Sequence, residues 1–359
     1  MIATGVLAAI AARWSGTVPR PRWCTFLVTY RCNARCRMCD SWRLPRLREL
    51  TVPDAERVFQ DIGRLDVVRL SGGEPFLRDD IAELAQAVWR ASRPGVLHVT
   101  TNGSLPDRVA AFAIGFPRPR ALRFMVSFDG LAEEHDRNRG ASVRFATALE
   151  TVEILCGLRS TLGLTVTANH TVISPQSMAD SGGLRDELRR LGVELHTVLA
   201  YSDSAMYGAG NRSARAEHAI VPVGYPLHPA LAGADALAFV ERERVTAERG
   251  RDPLVRIGKR YYLRGLASRL LGEVPPAPRP ACVALRSHLR ILPDGRVPVC
   301  QFNSKDVGNL AERSLASVWH GDDAARERRW VDACPGCWAE CEVVPNALYT
   351  GDFVRALCR

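Results

Sequence analysis

The chain has 359 residues, 47% hydrophobic and 24% charged, an ordinary globular composition with enough apolar content for a large core. That length suits one barrel-sized domain plus a smaller one. The net charge of +9 comes almost wholly from arginine, since only Lys259 and Lys305 are lysine; the arginines are dispersed rather than clustered, so no nucleic-acid partner is expected.

Met1 to Trp14 is mildly apolar and fits no secretory signal. Val6, Leu7, Ile10 and Trp14 fall near helical spacing, so an amphipathic helix packed on the domain is expected, with a membrane surface as the lesser alternative. No run reaches the ~20 apolar residues of a membrane span, and a cytoplasmic location is expected. From Trp23 to about Tyr201 strands and helices alternate, which predicts a parallel sheet. The first strand begins at Trp23 and ends at Cys32. A helix from about Asp54 has Val58, Phe59 and Ile62 on one face, after the start signal Thr51-Val52-Pro53-Asp54. Strand two, Val67–Leu70, leads to Ser71-Gly72-Gly73-Glu74-Pro75, and a helix runs from about Asp79 to Arg90. Strand three, Val96–Thr100, ends at Thr101-Asn102-Gly103. Strand four, Leu122–Ser127, ends at Phe128-Asp129-Gly130. A helix over Val143–Arg159, strand five over Leu164–Ile173, a helix over Ser177–Leu191 and strand six over Val193–Ala200 follow. Six strands with their helices make a partial (β/α)6 TIM-like barrel, whose sites lie at the C-terminal strand ends.

From 202 to 281 the pattern breaks, with helices predicted around Ala234–Arg249 and Tyr261–Leu271 and a stiff linker over Pro275–Pro280. A hairpin is expected between His288–Leu292 and Arg296–Val299, turning on Pro293-Asp294-Gly295, then a helix over Leu315–Arg328. The expected units are 1–22, an N-terminal extension; 23–201, the barrel; 202–281, an insertion and linker; and 282–359, a small cysteine-rich domain.

Eleven cysteines are many for a cytosolic enzyme, and they do not look like a secreted disulfide framework. Most fall into two groups. Cys32, Cys36 and Cys39 have C-x3-C-x2-C spacing. Thiolates suit iron–sulfur clusters, zinc and copper(I). Structural zinc wants four ligands, and no fourth is local. The competing reading is three unrelated cysteines, or a redox pair with a spare.

This spacing, followed by Gly72-Gly73-Glu74, resembles the radical S-adenosylmethionine (SAM) superfamily. The resemblance implies a [4Fe–4S] cluster on Cys32, Cys36 and Cys39 whose open iron binds SAM. Reductive cleavage of SAM then yields a 5′-deoxyadenosyl radical, so these three cysteines are the expected catalytic residues. It implies that Gly72, Gly73 and Glu74 meet the methionyl end of SAM, although Glu74 could instead fix its loop. Asn102, Ser127 and Asp129 would lie near the ribose and carboxylate of SAM, Arg139 would face the carboxylate, and Asn169 is a weaker candidate. Each of these strand ends could equally be a plain turn. Met38 stands where the family usually has an aromatic near adenine, and a thioether can replace ring packing there.

Cys282, then Gly295 and Cys300, then Val307-Gly308-Asn309-Leu310, Cys334-Pro335-Gly336-Cys337, Cys341 and Cys358 resemble the family's auxiliary-cluster domains, called twitch and SPASM. A full SPASM domain has seven cysteines and two clusters; this chain has six and lacks a C-x5-C element. One auxiliary [4Fe–4S] cluster on Cys282, Cys300, Cys334 and Cys337 is expected. Cys341 and Cys358 are then spare, or one replaces Cys334 or Cys337. A zinc site is the alternative, and a zinc-ribbon binding protein is the non-enzymatic rival. Cys24 and Cys156 are expected to be buried apolar thiols.

The resemblance implies hydrogen abstraction with net oxidation, and an electron donor such as flavodoxin or ferredoxin. Two substrate classes compete: a small polar metabolite of sugar, aminocyclitol or nucleoside type, and a peptide. About twenty residues precede strand one, few for a peptide-binding domain. Tyr201, Asp203, Tyr207, Asn211, Arg212 and His218 could hydrogen-bond a polyhydroxylated ligand, which tips the expectation toward the metabolite.

Overall fold

The computed structural model describes residues 2–46, 48–202, 224–248 and 253–357. Asp203, Tyr207, Asn211, Arg212, His218 and Cys358 lie outside the described residues. The described strands are β1 (Trp23–Thr29), β2 (Val67–Gly72), β3 (Val96–Thr101), β4 (Leu122–Phe128), β5 (Thr165–Val172), β6 (Glu194–Leu199), β7 (His288–Ile291), β8 (Arg296–Pro298) and β9 (Asp306–Asn309). The helices are α1 (Ile2–Trp14), α2 (Val52–Ile62), α3 (Ile81–Ser92), α4 (Pro106–Gly115), α5 (Ala132–Arg139), α6 (Phe145–Leu162), α7 (Pro175–Arg190), α8 (Gly233–Ala247), α9 (Pro253–Leu270), α10 (Leu315–Trp319), α11 (Asp322–Ala333), α12 (Glu340–Tyr349) and α13 (Asp352–Leu357).

Local chemistry sets the helix starts. Thr51 caps α2 in a reciprocal box with Asp54, and Ser174 caps α7 with Ser177 in the same way. Pro53 and Pro175 sit in the first turn, where the missing N–H costs nothing. The sheet runs β6-β5-β4-β3-β2-β1-β7 and every pair in it is parallel. This is the partial TIM-like barrel, with one strand more than expected.

That strand is β7. The expected hairpin turn forms, with Gly295 N–H donating to Leu292 O at 3.0 Å and Leu292 N–H to Arg296 O at 2.9 Å. Its arms then part. His288 to Ile291 join the barrel beside Trp23 to Phe26, while β8 pairs antiparallel with β9. The expected helix over Leu315–Arg328 is two helices, because at Gly321 the chain closes on Ser317 O, 2.6 Å from where a Cβ would lie. In the extension, Ala9 and Val6 pack with Val283 and Tyr349, while Leu7 and Trp14, expected on the packed face, are exposed. No described helix is long and apolar enough to cross a membrane.

The barrel is inverted in polarity. Outward residues of the strands, such as Phe26, Leu70, Val99, Phe124, Val126 and Ala168, are fully buried under the helices. Inward residues Ser71, Thr100, Ser127, Asn169, His196 and Val198 are only half-buried. Strand alternation puts the two sets on opposite faces, so the interior is an open polar cavity and the core is the outer layer.

A second core joins α8, α9 and α12 around Trp338, which is 1% exposed. Its indole N–H donates to Tyr262 O at 2.7 Å, and the Arg269 guanidinium lies 3.9 Å from its ring centre. Gly265 of α9 lies flat on this ring: a Cβ there would fall 2.0 Å from indole carbon Cζ2. Gly265→Ala is therefore expected to destabilise the fold by about 1–3 kcal/mol through overpacking, lowering the urea midpoint. An unchanged midpoint would show that α9 can slide off Trp338.

Candidate functional site

The loop after β1 carries Cys32, Cys36 and Cys39 and is held on three sides. From β2, Gly73 N–H donates to Thr29 O at 2.7 Å and Glu74 N–H to Arg31 O at 2.8 Å. From β3, Asn102 Nδ2 donates to Asn33 Oδ1 at 2.8 Å, and Asn33 Nδ2 donates to Ser104 Oγ at 2.9 Å. From α5, Arg139 O accepts from Arg35 N–H at 2.9 Å, and Asn138 Oδ1 accepts from Arg37 N–H at 3.2 Å. Asn138 Nδ2 also reaches Met38 Sδ at 3.4 Å.

The glycines make the first of these contacts possible. A Cβ on Gly72, at φ +129°, would lie 2.2 Å from Thr29 O, and one on Gly73 would lie 2.1 Å from Arg31 O. The place of a side chain at each is thus taken by the backbone of Thr29 and Arg31. Glu74 is 1% exposed. Its carboxylate accepts from Phe76 N–H at 3.2 Å, Thr101 Oγ1 at 2.8 Å and Asn102 N–H at 2.7 Å. Burial raises this carboxyl to about 7 against those donors. In this geometry Glu74 ties the end of β2 to the end of β3.

Arg139 is engaged with Asp129, Nε to Oδ2 and Nη2 to Oδ1 both at 2.7 Å. Asn138 Nδ2 adds a third bond to Oδ2 at 2.6 Å. Burial alone would raise Asp129; Arg139 outweighs it and holds the carboxyl below its ordinary value. Ser127 and Asn169 are register partners on β4 and β5 and face the cavity, with Asn169 Nδ2 bonded to Thr171 Oγ1 at 3.1 Å.

The three cysteines are free thiols. Burial raises all three, Cys32 to about 12, and Arg139 draws each back down. Cys39 raises Cys32, and both raise Cys36, so the sulfurs face one another. Three soft donors with a buried cation behind them fit a thiolate-ligated iron–sulfur cluster, because bound metal supplies the charge compensation that the bare thiolates lack. Among the described residues, no three His, Cys, Asp or Glu side chains converge closely enough for a single metal ion.

The second group is assembled from four segments. Cys282 and Cys300 each raise the thiol of Cys337, Cys282 raises that of Cys300, and Cys334 raises that of Cys282. Cys341 is turned toward Arg290 and Arg69, with its sulfur 4.0 Å from Arg290 Nη2. At the centre stands Glu342, 1% exposed, a residue the sequence did not single out. It accepts from Arg290 Nη2 at 2.6 Å, His288 Nδ1 at 3.2 Å and Gln301 N–H at 3.2 Å. Burial alone would raise Glu342; Arg290 and His288 hold it far below its ordinary value. Gln301 Nε2 reaches Tyr201 OH at 3.2 Å and Phe302 packs on the Tyr201 ring. The unit that adds β7 beside β1 therefore also touches the chain after β6, spanning the gap of the open barrel. Cys24 is buried and Cys156 is partly buried on α6.

The profile described as Radical SAM superfamily matches residues 26–184, and that described as an iron–sulfur cluster-binding domain, SPASM, matches 282–341. A pre-heme d1 synthase of Dinoroseobacter shibae is 37% identical over 150 residues, 38% of this chain and 35% of that protein. A GTP 3′,8-cyclase of Aquifex aeolicus is 29% identical over 179 residues, 48% and 54% of the two chains. The chain thus spans about a third to a half of these curated relatives. SuiB of Streptococcus suis bound to precursor peptide SuiA superposes with TM-score 0.61 at 17% identity, covering 90% of this chain and 70% of that one. Native anSMEcpe with bound AdoMet and a Cp18Cys peptide gives 0.57 at 14%, covering 94% and 95%. At such identities the likeness is one of fold.

The Asp129–Arg139 pair is expected to be the structural clamp of the cysteine loop. Asp129→Asn leaves a buried guanidinium unpaired, and a loss of about 3–5 kcal/mol is expected in urea unfolding. Stability within about 1 kcal/mol of wild type would mean that the loop is held without it. Because this carboxyl sits below its unfolded value, its contribution is present above the unfolded pKa and fades as pH falls through the folded one.

Proposed function

This chain belongs to the radical SAM superfamily and carries a SPASM auxiliary-cluster domain, and on that premise we propose that it oxidises a small polar metabolite held inside the barrel. The observation that carries this reading is that the strands turn half-buried polar side chains, Ser71, Thr100, Ser127 and Asn169, into the barrel beside the loop of Cys32, Cys36 and Cys39. A [4Fe–4S] cluster with SAM held there would supply the radical chemistry needed to take hydrogen from an unactivated carbon.

Cys32, Cys36 and Cys39 would ligate the SAM cluster. Arg139 places positive charge behind the three thiolates and so favours their ionised, metal-binding state. Ser127 and Asn169 turn hydroxyl and amide groups into the barrel, where they can orient SAM or substrate, while the Asn102 amide is taken by Asn33 and Ser104. Cys282, Cys300, Cys334 and Cys337 would hold the auxiliary cluster, which would supply an acceptor for the electron of a net oxidation. Glu342 fixes that loop through Arg290 Nη2, His288 Nδ1 and the Gln301 N–H. Peptide is the second reading, favoured by the peptides bound in SuiB and anSMEcpe. The polar, half-buried strand residues of the cavity support the metabolite.

Replacing Cys32, Cys36 and Cys39 together with Ala is expected to abolish 5′-deoxyadenosine formation under reducing conditions while about four irons remain bound. Undiminished formation sinks the assignment of the SAM cluster. An iron-free variant removes the auxiliary site instead. Incubation of reconstituted wild type with SAM, reductant, candidate metabolites and candidate peptides decides the substrate class; turnover of peptide alone refutes the metabolite.

A further inference from the structure

The floor of the barrel carries a row of polar and basic side chains, of which His98 and Arg123 take no part in the chemistry above. Register partners across five strands run Arg290, Thr25, Arg69, His98 and Arg123. By strand alternation all of them point inward, opposite to the buried Leu70, Val99 and Phe124. Two of the arginines are neutralised: Arg290 by Glu342 at 2.6 Å, and Arg69 by Glu340 at 3.6 Å. Arg123, at the end of the row, is exposed and has no hydrogen-bond or ion-pair partner among the described residues. Beside it His98 is 8% exposed, and its Nε2 is buried without a partner. His196 on β6 faces the same space, where Glu194 is taken by Lys259 at 2.7 Å. Burial, with Arg69 and Arg123 nearby, lowers His98 well below its ordinary value, and no carboxylate is bonded to it to offset that.

An unpaired guanidinium fork beside an unpartnered imidazole is the donor set for a carboxylate or phosphate, not for a neutral hydroxyl. We propose that Arg123 and His98, with His196 opposite, form an oxyanion-binding floor that anchors an acidic group of the substrate. Ser127 lies four residues further along β4, about 13 Å away at 3.3 Å per residue. The ligand is therefore elongated, with a carboxylate or phosphate at the floor and its reacting carbon toward the cysteine loop. This inference rests on the reading that the cavity holds the substrate, and narrows it to acidic metabolites.

The test is calorimetric titration of the reconstituted, SAM-loaded protein with tricarballylate and, separately, with inorganic pyrophosphate. Wild type is expected to bind at least one; which one distinguishes carboxylate from phosphate. Arg123→Ala is expected to bind it about tenfold more weakly or worse, the scale of one charged hydrogen bond. Arg123→Lys, which keeps the charge but loses the fork, is expected to fall between. Arg313→Ala, an exposed arginine bonded within its own segment to Ser317, is expected to match wild type. Binding of neither anion by wild type, or equal affinity in Arg123→Ala, overturns the inference. Formation of 5′-deoxyadenosine by wild type is measured in parallel. Cleavage without anion binding leaves the enzymatic reading standing alone, and anion binding without cleavage does the reverse.

Discussion

The buried contact between Asp129 and Arg139 is the constraint on which the site depends. Helix α5 is short and polar, and it turns Glu134, His135, Asn138 and Arg139 inward. Apolar burial does not hold it in place. The fork of Arg139 on Asp129 does, and that fixes the α5 backbone so that Arg139 O and Asn138 Oδ1 can receive the amides of Arg35 and Arg37. Glu134 extends the same clamp, accepting from Ser174 Oγ at 2.5 Å and from Arg137 Nη1 at 2.7 Å. One ion pair at the end of β4 thereby sets the shape of a loop at the end of β1. Such a pair is costly to bury, and its value lies in specifying one geometry rather than in net stability.

A second constraint follows from leaving the barrel incomplete. Seven parallel strands cannot close on themselves at this curvature, and an open barrel leaves an edge and a gap. The C-terminal unit meets both problems. Its β7 covers the edge of β1, and Gln301 and Phe302 rest on Tyr201 beyond β6. Thr25 Oγ1 joins His288 Nε2 at 2.9 Å, and through Glu342 this contact reaches the loop after Cys300. The segment that carries the second cysteine group is thus joined to the wall of the barrel through β7.

The polarity of that cavity depends on where the hydrophobic face of each strand goes. In β4, Phe124, Val126 and Phe128 pack outward on α4 and α6, with Phe112 and Phe145 among their partners. The alternate positions, Arg123, Met125 and Ser127, line the inside. A packed interior would want apolar residues at both sets, as buried parallel strands usually show. Here the inward set mixes Met125, which is buried, with the polar Ser127 and the exposed Arg123.

Much of this was legible in the residues themselves. Periodicity and caps located six strands within a few residues, because hydrophobic alternation and N-cap chemistry are local. The C-x3-C-x2-C spacing pointed to soft ligands, since three thiols within eight residues can meet without help from the rest of the fold. Partnerships between distant residues were not legible. His288 pairs with a threonine 263 positions earlier, and nothing in His-Leu-Arg-Ile separates a hairpin arm from a barrel strand. Nothing in the sequence singled out Glu342, and the spacing of Asp129 and Arg139 did not show that they bond to each other. The amino-acid sequence alone determined the chemistry of the donors and the order of the elements, because both follow from residue type and short-range spacing. Tertiary structure alone decided which charges neutralise one another and which remain unpaired, because that depends on which strands become neighbours and which faces they turn inward.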